Sequence, residues 1–193
     1  MSNNNQLNIG LFGFGTVGKG LYDVLHSTPI LQSSIKKICI KNIDKKRSIA
    51  IENFTTDASL LLNDENINVI VELIDDADAA FEIVKTALQN GKAVVSANKK
   101  MIAEHFEELL QLQQQYKTPF LYEAACCASM PIVRNLEEYY DNDLLQSFRG
   151  IIHSSTNFIL PRIFEEQLEF GKSLPLEQQL GFAEGNPDTD IAD

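Results

Sequence analysis

The chain has 193 residues, 44% of them hydrophobic and 22% charged, which is the balance of an ordinary globular protein with room for a substantial core. Its net charge of −11 argues against nucleic acid as a partner and gives no support for docking on an anionic membrane. No apolar run approaches the ~20 residues that span a bilayer, and the start, MSNNNQ, lacks a basic end and an apolar signal core, so a cytoplasmic protein is expected.

Leu7 to Leu25 reads LNIGLFGFGTVGKGLYDVL and organises the rest. Ile9, Leu11 and Phe12 form a strand-type run that ends in Gly13, Gly15 and Gly18, and an amphipathic helix follows with Val17, Leu21, Val24 and Leu25 on one face. Strand, G-x-G-x-x-G, then helix is the context of a dinucleotide site. Gly13 allows the tight turn, Gly15 lets a pyrophosphate reach the backbone, and Gly18 lets helix and strand lie close. Unpaired N–H groups and the macrodipole at the helix start favour the phosphates.

A second strand is predicted over roughly Lys37 to Lys41, and it ends where such folds meet the adenosine ribose. Instead of the acidic residue that selects NAD, the end carries Ile40, Lys41 and Asn42, with Asp44 two residues further on and Lys45, Lys46 and Arg47 following. That cationic turn favours NADP over NAD, the competing reading being a solvated basic turn. Thr56 or Asp57 caps a short helix through Leu60, Leu61 and Leu62, and Asn68 to Leu73 reads as a buried parallel strand. One of Asp75 and Asp76 caps the next helix, which stops at Asn90 and Gly91.

Ala93 to Ser96 is the next strand, followed by Ala97, Asn98, Lys99 and Lys100. The lysines either enter an active crevice or form an exposed pair opening the helix from Met101 to Tyr116. Pro119 to Glu123 reads as a strand with Glu123 at its carboxyl end, and Pro131 as the first residue of a helix continuing to Tyr140. Leu144 to Ile152 reads as a strand, and helices are expected from Phe158 to Phe170 and from Pro175. The strand–helix alternation predicts an α/β, Rossmann-type, doubly wound parallel sheet. Cys39, Cys126 and Cys127 lack C-x-x-C spacing and read as reduced thiols, and scattered His26, His105 and His153 predict no metal site.

Six stretches together resemble the homoserine dehydrogenase family: IGLFGFGTVGKG, NVIVELI, VVSANKK, YEAACCASMPI, GIIHSSTNFIL and LGFAEGNPDTDIAD. The resemblance implies NAD(P)-dependent interconversion of L-homoserine and L-aspartate 4-semialdehyde in amino-acid biosynthesis. It places Gly13, Gly15, Thr16, Val17 and Gly18 in the cofactor loop, and Ala97 and Asn98 on the nicotinamide side. Lys99 matches the active-site lysine, with Lys100 as the fallback. Glu123, Glu184 and Asp190 match the substrate-binding acids, Glu184 and Asp190 holding the amino group and hydroxyl. A homodimer is the family's usual state, and apolar surface near Phe158, Leu160 and Phe164 is consistent with self-association.

The chain departs from the family pattern at Asp75 and Asp76, at Ala128 and Ser129, and at His153 and Ser154. It ends at Asp193, where the family continues with a G-x-D-A-x-x-K segment whose lysine is its main acid–base residue. The expectation is therefore a cofactor-binding domain over residues 1–130 and a truncated substrate and dimerisation domain over 131–193, with poor turnover. Two other classes compete: a non-enzymatic NAD(P)-binding module, and another amino-acid or semialdehyde dehydrogenase, the last using a cysteine of the Cys126–Cys127 pair as nucleophile.

Overall fold

The computed structural model describes residues 6–127 and 130–140, together with 142, 145–147, 149, 150 and 161. The chain divides into two compact units, Met1–Tyr139 and Tyr140–Asp193. The first holds six strands, β1 (Leu7–Phe12), β2 (Ser33–Cys39), β3 (Phe54–Thr55), β4 (Val69–Glu72), β5 (Ala93–Ser96) and β6 (Phe120–Leu121). Its helices are α1 (Thr16–Ser27), α2 (Ser59–Leu62), α3 (Ala77–Gln89), α4 (Lys99–Tyr116), α5 (Glu123–Cys127) and α6 (Ile132–Tyr139). The strands form one sheet in the order β3-β2-β1-β4-β5-β6, and every pairing is parallel.

Alternation along the strands builds two cores. Ile9, Leu11, Ile38, Ile40, Phe54 and Val71 face one side, where Leu21, Tyr22 and Leu25 of α1 cover them. Phe12, Ile70 and Val94 face the other, against Leu61 and Leu62 of α2, Ala80, Phe81, Val84 and Leu88 of α3, and Met101, Ile102 and Leu109 of α4. Helices on both faces make the sheet doubly wound, and strands buried on both faces read as continuous apolar runs. The order of strands reverses between β1 and β4, which sets a crevice at their carboxyl ends.

Several local expectations are corrected. The inward face of α1 is Gly18, Leu21, Tyr22 and Leu25, whereas Val17 and Val24 are 62% and 55% exposed, because the helix touches the sheet along a narrower stripe than its apolar residues suggest. β2 ends at Cys39, so Lys41 lies two residues beyond it. Ala58 occupies the N-cap of α2, while the Asp57 carboxylate accepts from the Ser59 N–H at 2.9 Å in a turn of its own. β6 is two residues long, and Glu123 opens α5 instead of ending a strand. Positions 145–147, 149 and 150 take no strand conformation, and no strand pairs beyond β6 among the described residues.

Candidate cofactor-binding site

The turn between β1 and α1 assigns a separate job to each of its three glycines. Gly13 has φ +92, and a Cβ there would lie 2.5 Å from the Leu73 carbonyl oxygen, so only glycine fits both the backbone angle and the space. A Cβ on Gly18 would lie 2.4 Å from the Gly13 carbonyl oxygen, so that glycine lets α1 start directly against the turn. Gly15 is different. A Cβ there would meet nothing within 4 Å, and its φ of −84 is open to any residue. The protein itself places no demand on this position, and the space beside it is clear.

Gly15 is the N-cap of α1, with no side-chain cap and no acidic residue in the first turn. The Lys19 N–H already donates to the Gly15 carbonyl at 2.9 Å, leaving the N–H groups of Thr16, Val17 and Gly18 without intrahelical acceptors. The two neighbouring helix starts on the sheet's other side are closed. Asp76 accepts from the Ala79 N–H at 3.0 Å at the start of α3, which settles which of the two aspartates is the cap. Asn98 accepts from the Met101 N–H at 2.9 Å at the start of α4. A bare backbone mouth facing a clear space suits a diphosphate, and the donors present fit it.

The other expected cofactor residues stand along the same carboxyl edge. Lys41 is exposed beyond β2, together with Lys45 and Lys46, whereas Arg47 is held over the Phe54 ring at 5.1 Å and donates to the Lys45 carbonyl at 2.8 Å. Arg47 therefore shapes the basic turn, leaving the lysines as its outward cations. Ala97 follows β5, and its N–H donates to the Glu72 carbonyl at 3.2 Å. Asn98 is 7% exposed, and its Nδ2 donates to the Ile74 carbonyl at 3.1 Å, so its amide is engaged within the protein. Lys99 is the first residue of α4, exposed, and has no ion-pair partner among the described residues, whereas Lys100 lies 3.9 Å from Glu104.

Glu123 has a use that its sequence position did not suggest. Its Oε1 accepts from the Val133 N–H at 3.1 Å and its Oε2 from the Arg134 N–H at 3.0 Å, so the carboxylate caps α6 from ten residues upstream. Beside it, the Tyr122 hydroxyl donates to Glu137 at 3.0 Å, and burial with that carboxylate pushes the phenol up to about 12. Glu184 and Asp190 lie outside the described residues, as do Ala128, Ser129, His153 and Ser154.

Sequence reasoning also passed over Glu72. It is fully buried at the end of β4, and burial pushes its carboxyl above the ordinary range, against the hydrogen bonds from Ser96 and Ile74. The sequence places Glu72 inside a run read as buried but gives it no partner, and only the pairing of β4 with β5 brings Ser96 to it. His105 likewise stands apart from the other histidines in the sequence. Its ring stacks on Phe81 at 3.9 Å, and its donor lies within 4.8 Å of carboxylate oxygens of Asp78 and Glu104, a juxtaposition made by the packing of α3 on α4. Burial and the Asp57 charge push the Cys39 thiol up. No helix among the described residues is long and apolar enough to cross a membrane.

The doubly wound parallel sheet, its reversal beside β1 and the bare helix mouth there define a dinucleotide-binding domain of the Rossmann type. Comparison with known proteins narrows the class. The family model "Homoserine dehydrogenase, NAD binding domain" matches residues 13–123, and the model "Homoserine dehydrogenase" matches residues 131–192. The chain belongs to the homoserine dehydrogenase family. It is 33% identical to the homoserine dehydrogenase of Synechocystis over 95% of this chain and 44% of that protein. Against the Helicobacter pylori homoserine dehydrogenase it is 34% identical over 96% of this chain and 45% of that one.

Among solved structures, a homoserine dehydrogenase from Thiobacillus denitrificans superposes with a TM-score of 0.79 at 32% identity, covering 96% of this chain and 45% of that one. A hyperthermophilic archaeal homoserine dehydrogenase in complex with NADPH gives 0.74 at 25% identity, covering 96% and 65%. The chain thus spans less than half the length of the two curated relatives named here.

Proposed function

We propose that this chain forms the cofactor side of an NAD(P)-dependent homoserine dehydrogenase that interconverts L-homoserine and L-aspartate 4-semialdehyde in the cytoplasm. One observation carries the reading: Gly15 adjoins clear space at the uncapped start of α1, where Thr16, Val17 and Gly18 offer backbone donors to a diphosphate. The bound nicotinamide supplies the hydride acceptor. Lys99, free of a carboxylate partner among the described residues, stabilises the negative charge that builds on the substrate oxygen as the hydride leaves, while the hydroxyl proton goes to the acid–base lysine of the family's following segment. Glu184 and Asp190 hold the substrate's ammonium and hydroxyl. Glu123, the third acid matched to substrate binding, also fixes where α6 begins. The cofactor domain covers residues 1–130, the remainder begins the substrate and dimerisation domain, and the working state is a homodimer.

NADP is the preferred cofactor, because Lys41, Lys45 and Lys46 remain as exposed cations past β2. The test is a titration of NADH and NADPH followed by nicotinamide fluorescence, with Lys41→Asp run in parallel. The intact chain binds NADPH more tightly, and the substitution weakens NADPH about tenfold or more while leaving NADH within about twofold, as expected for loss of a charge-assisted contact to the 2′-phosphate. Equal weakening of both would remove the preference for NADP. A chain that binds neither is not a cofactor domain.

A further inference from the structure

Glu72 is a fully buried carboxylate with no ion-pair partner among the described residues, an expensive group to place at the centre of a sheet edge. Its Oε1 accepts from the Ile74 N–H at 2.7 Å and its Oε2 from the Ser96 hydroxyl at 2.5 Å. That hydroxyl accepts from the Asn98 N–H at 3.1 Å, so its one proton is committed to Glu72. The amide of Asn98 returns to the Ile74 carbonyl at 3.1 Å, while its oxygen caps α4. Ile74 is therefore held twice, by its N–H through Glu72 and by its carbonyl through Asn98. One carboxylate ties the segment after β4 to the turn after β5 that begins α4 with Lys99.

The sheet order sets these two segments on one side of the Gly13–Gly18 mouth and the Lys41 turn on the other. A dinucleotide crossing the mouth has its adenosine over β2 and its nicotinamide over β4 and β5. We propose that Glu72 is a positioning residue for the nicotinamide half of the cofactor, locking the segments after β4 and β5 into one wall through Ser96 and Asn98. The inference rests on the cofactor reading above. It requires that the nicotinamide end, and not the adenosine end, feel the loss of Glu72.

The test compares NADPH with its nicotinamide-free fragment, 2′-phospho-ADP-ribose, by calorimetric titration of the full chain and of Glu72→Gln and Ser96→Ala. Each variant is expected to raise the Kd for NADPH about tenfold and that for the fragment less than twofold. The double variant is expected to be no weaker than the poorer single one, because both act on one link. Ser96→Ala removes a single hydroxyl, so it carries the comparison where Glu72→Gln does not fold. Equal losses for both ligands would make Glu72 a stabilising residue only, and unchanged affinities would remove it from the site; either result overturns the inference. Failure of the unsubstituted chain to bind either ligand overturns the cofactor reading itself, and this inference with it.

Discussion

Gly13→Ala is expected to remove roughly 3–5 kcal/mol of folding stability, the sum of a left-handed backbone angle and a backbone clash. At φ +92 an alanine is strained wherever it sits, and here its Cβ would also press to 2.5 Å from the Leu73 carbonyl oxygen. That oxygen has little freedom to retreat, since the Leu73 N–H donates to the Phe12 carbonyl at 2.8 Å and extends the ladder between β1 and β4. The turn itself is tied to β2 through the Gly13 N–H, which donates to the Cys39 carbonyl at 3.0 Å. Strain at Gly13 therefore reaches the three central strands. Urea unfolding measures the loss directly, and a change below about 0.5 kcal/mol, the range of an ordinary surface substitution, would show that the turn relaxes freely.

Gly15→Val is expected to do the reverse. The free protein accommodates it, because Gly15 has an ordinary φ of −84 and a Cβ there meets nothing within 4 Å. The stability loss stays near 1 kcal/mol or less, the difference between glycine and an apolar residue at an N-cap. Cofactor affinity is a different matter. An isopropyl group in the clear space at the start of α1 holds a diphosphate away from the N–H groups of Thr16, Val17 and Gly18. The expected loss is at least about 100-fold in Kd, or roughly 2.7 kcal/mol. Unfolding curves and NADPH titrations on the same samples separate the two effects, and Gly15→Val that binds like the parent would place the diphosphate elsewhere. Together the two variants distinguish a glycine needed by the fold from one reserved for the ligand, which the motif alone does not do.

Much of the fold was legible because its signals are local. Gly13 and Gly18 announce a tight strand-to-helix turn, Val69 to Glu72 and Ala93 to Ser96 are short β-branched runs bounded by turn residues, and an aspartate cap before α3 is a one-turn motif. What was missed depends on partners far along the chain. β3 is two residues at the sheet edge, Phe54 and Thr55, too short for any periodicity. The use of Glu123 depends on two amides ten and eleven residues away, and that of Glu72 on Ser96 in the adjacent strand. Val17 and Val24 look like core by spacing, yet a helix laid on a sheet buries a narrower stripe than its apolar residues cover. Side-chain pairing across strands and helices is a property of the assembled sheet, and no window of sequence contains it.

The most direct measurement is amide chemical-shift mapping of the nitrogen-15-labelled chain titrated with NADPH. The largest shifts should fall on Gly15, Thr16, Val17 and Gly18, whose N–H groups receive the diphosphate, and should saturate with the same Kd as nicotinamide fluorescence. Saturable shifts confined to other parts of the chain, with those four amides unmoved, would contradict a backbone cradle at the start of α1.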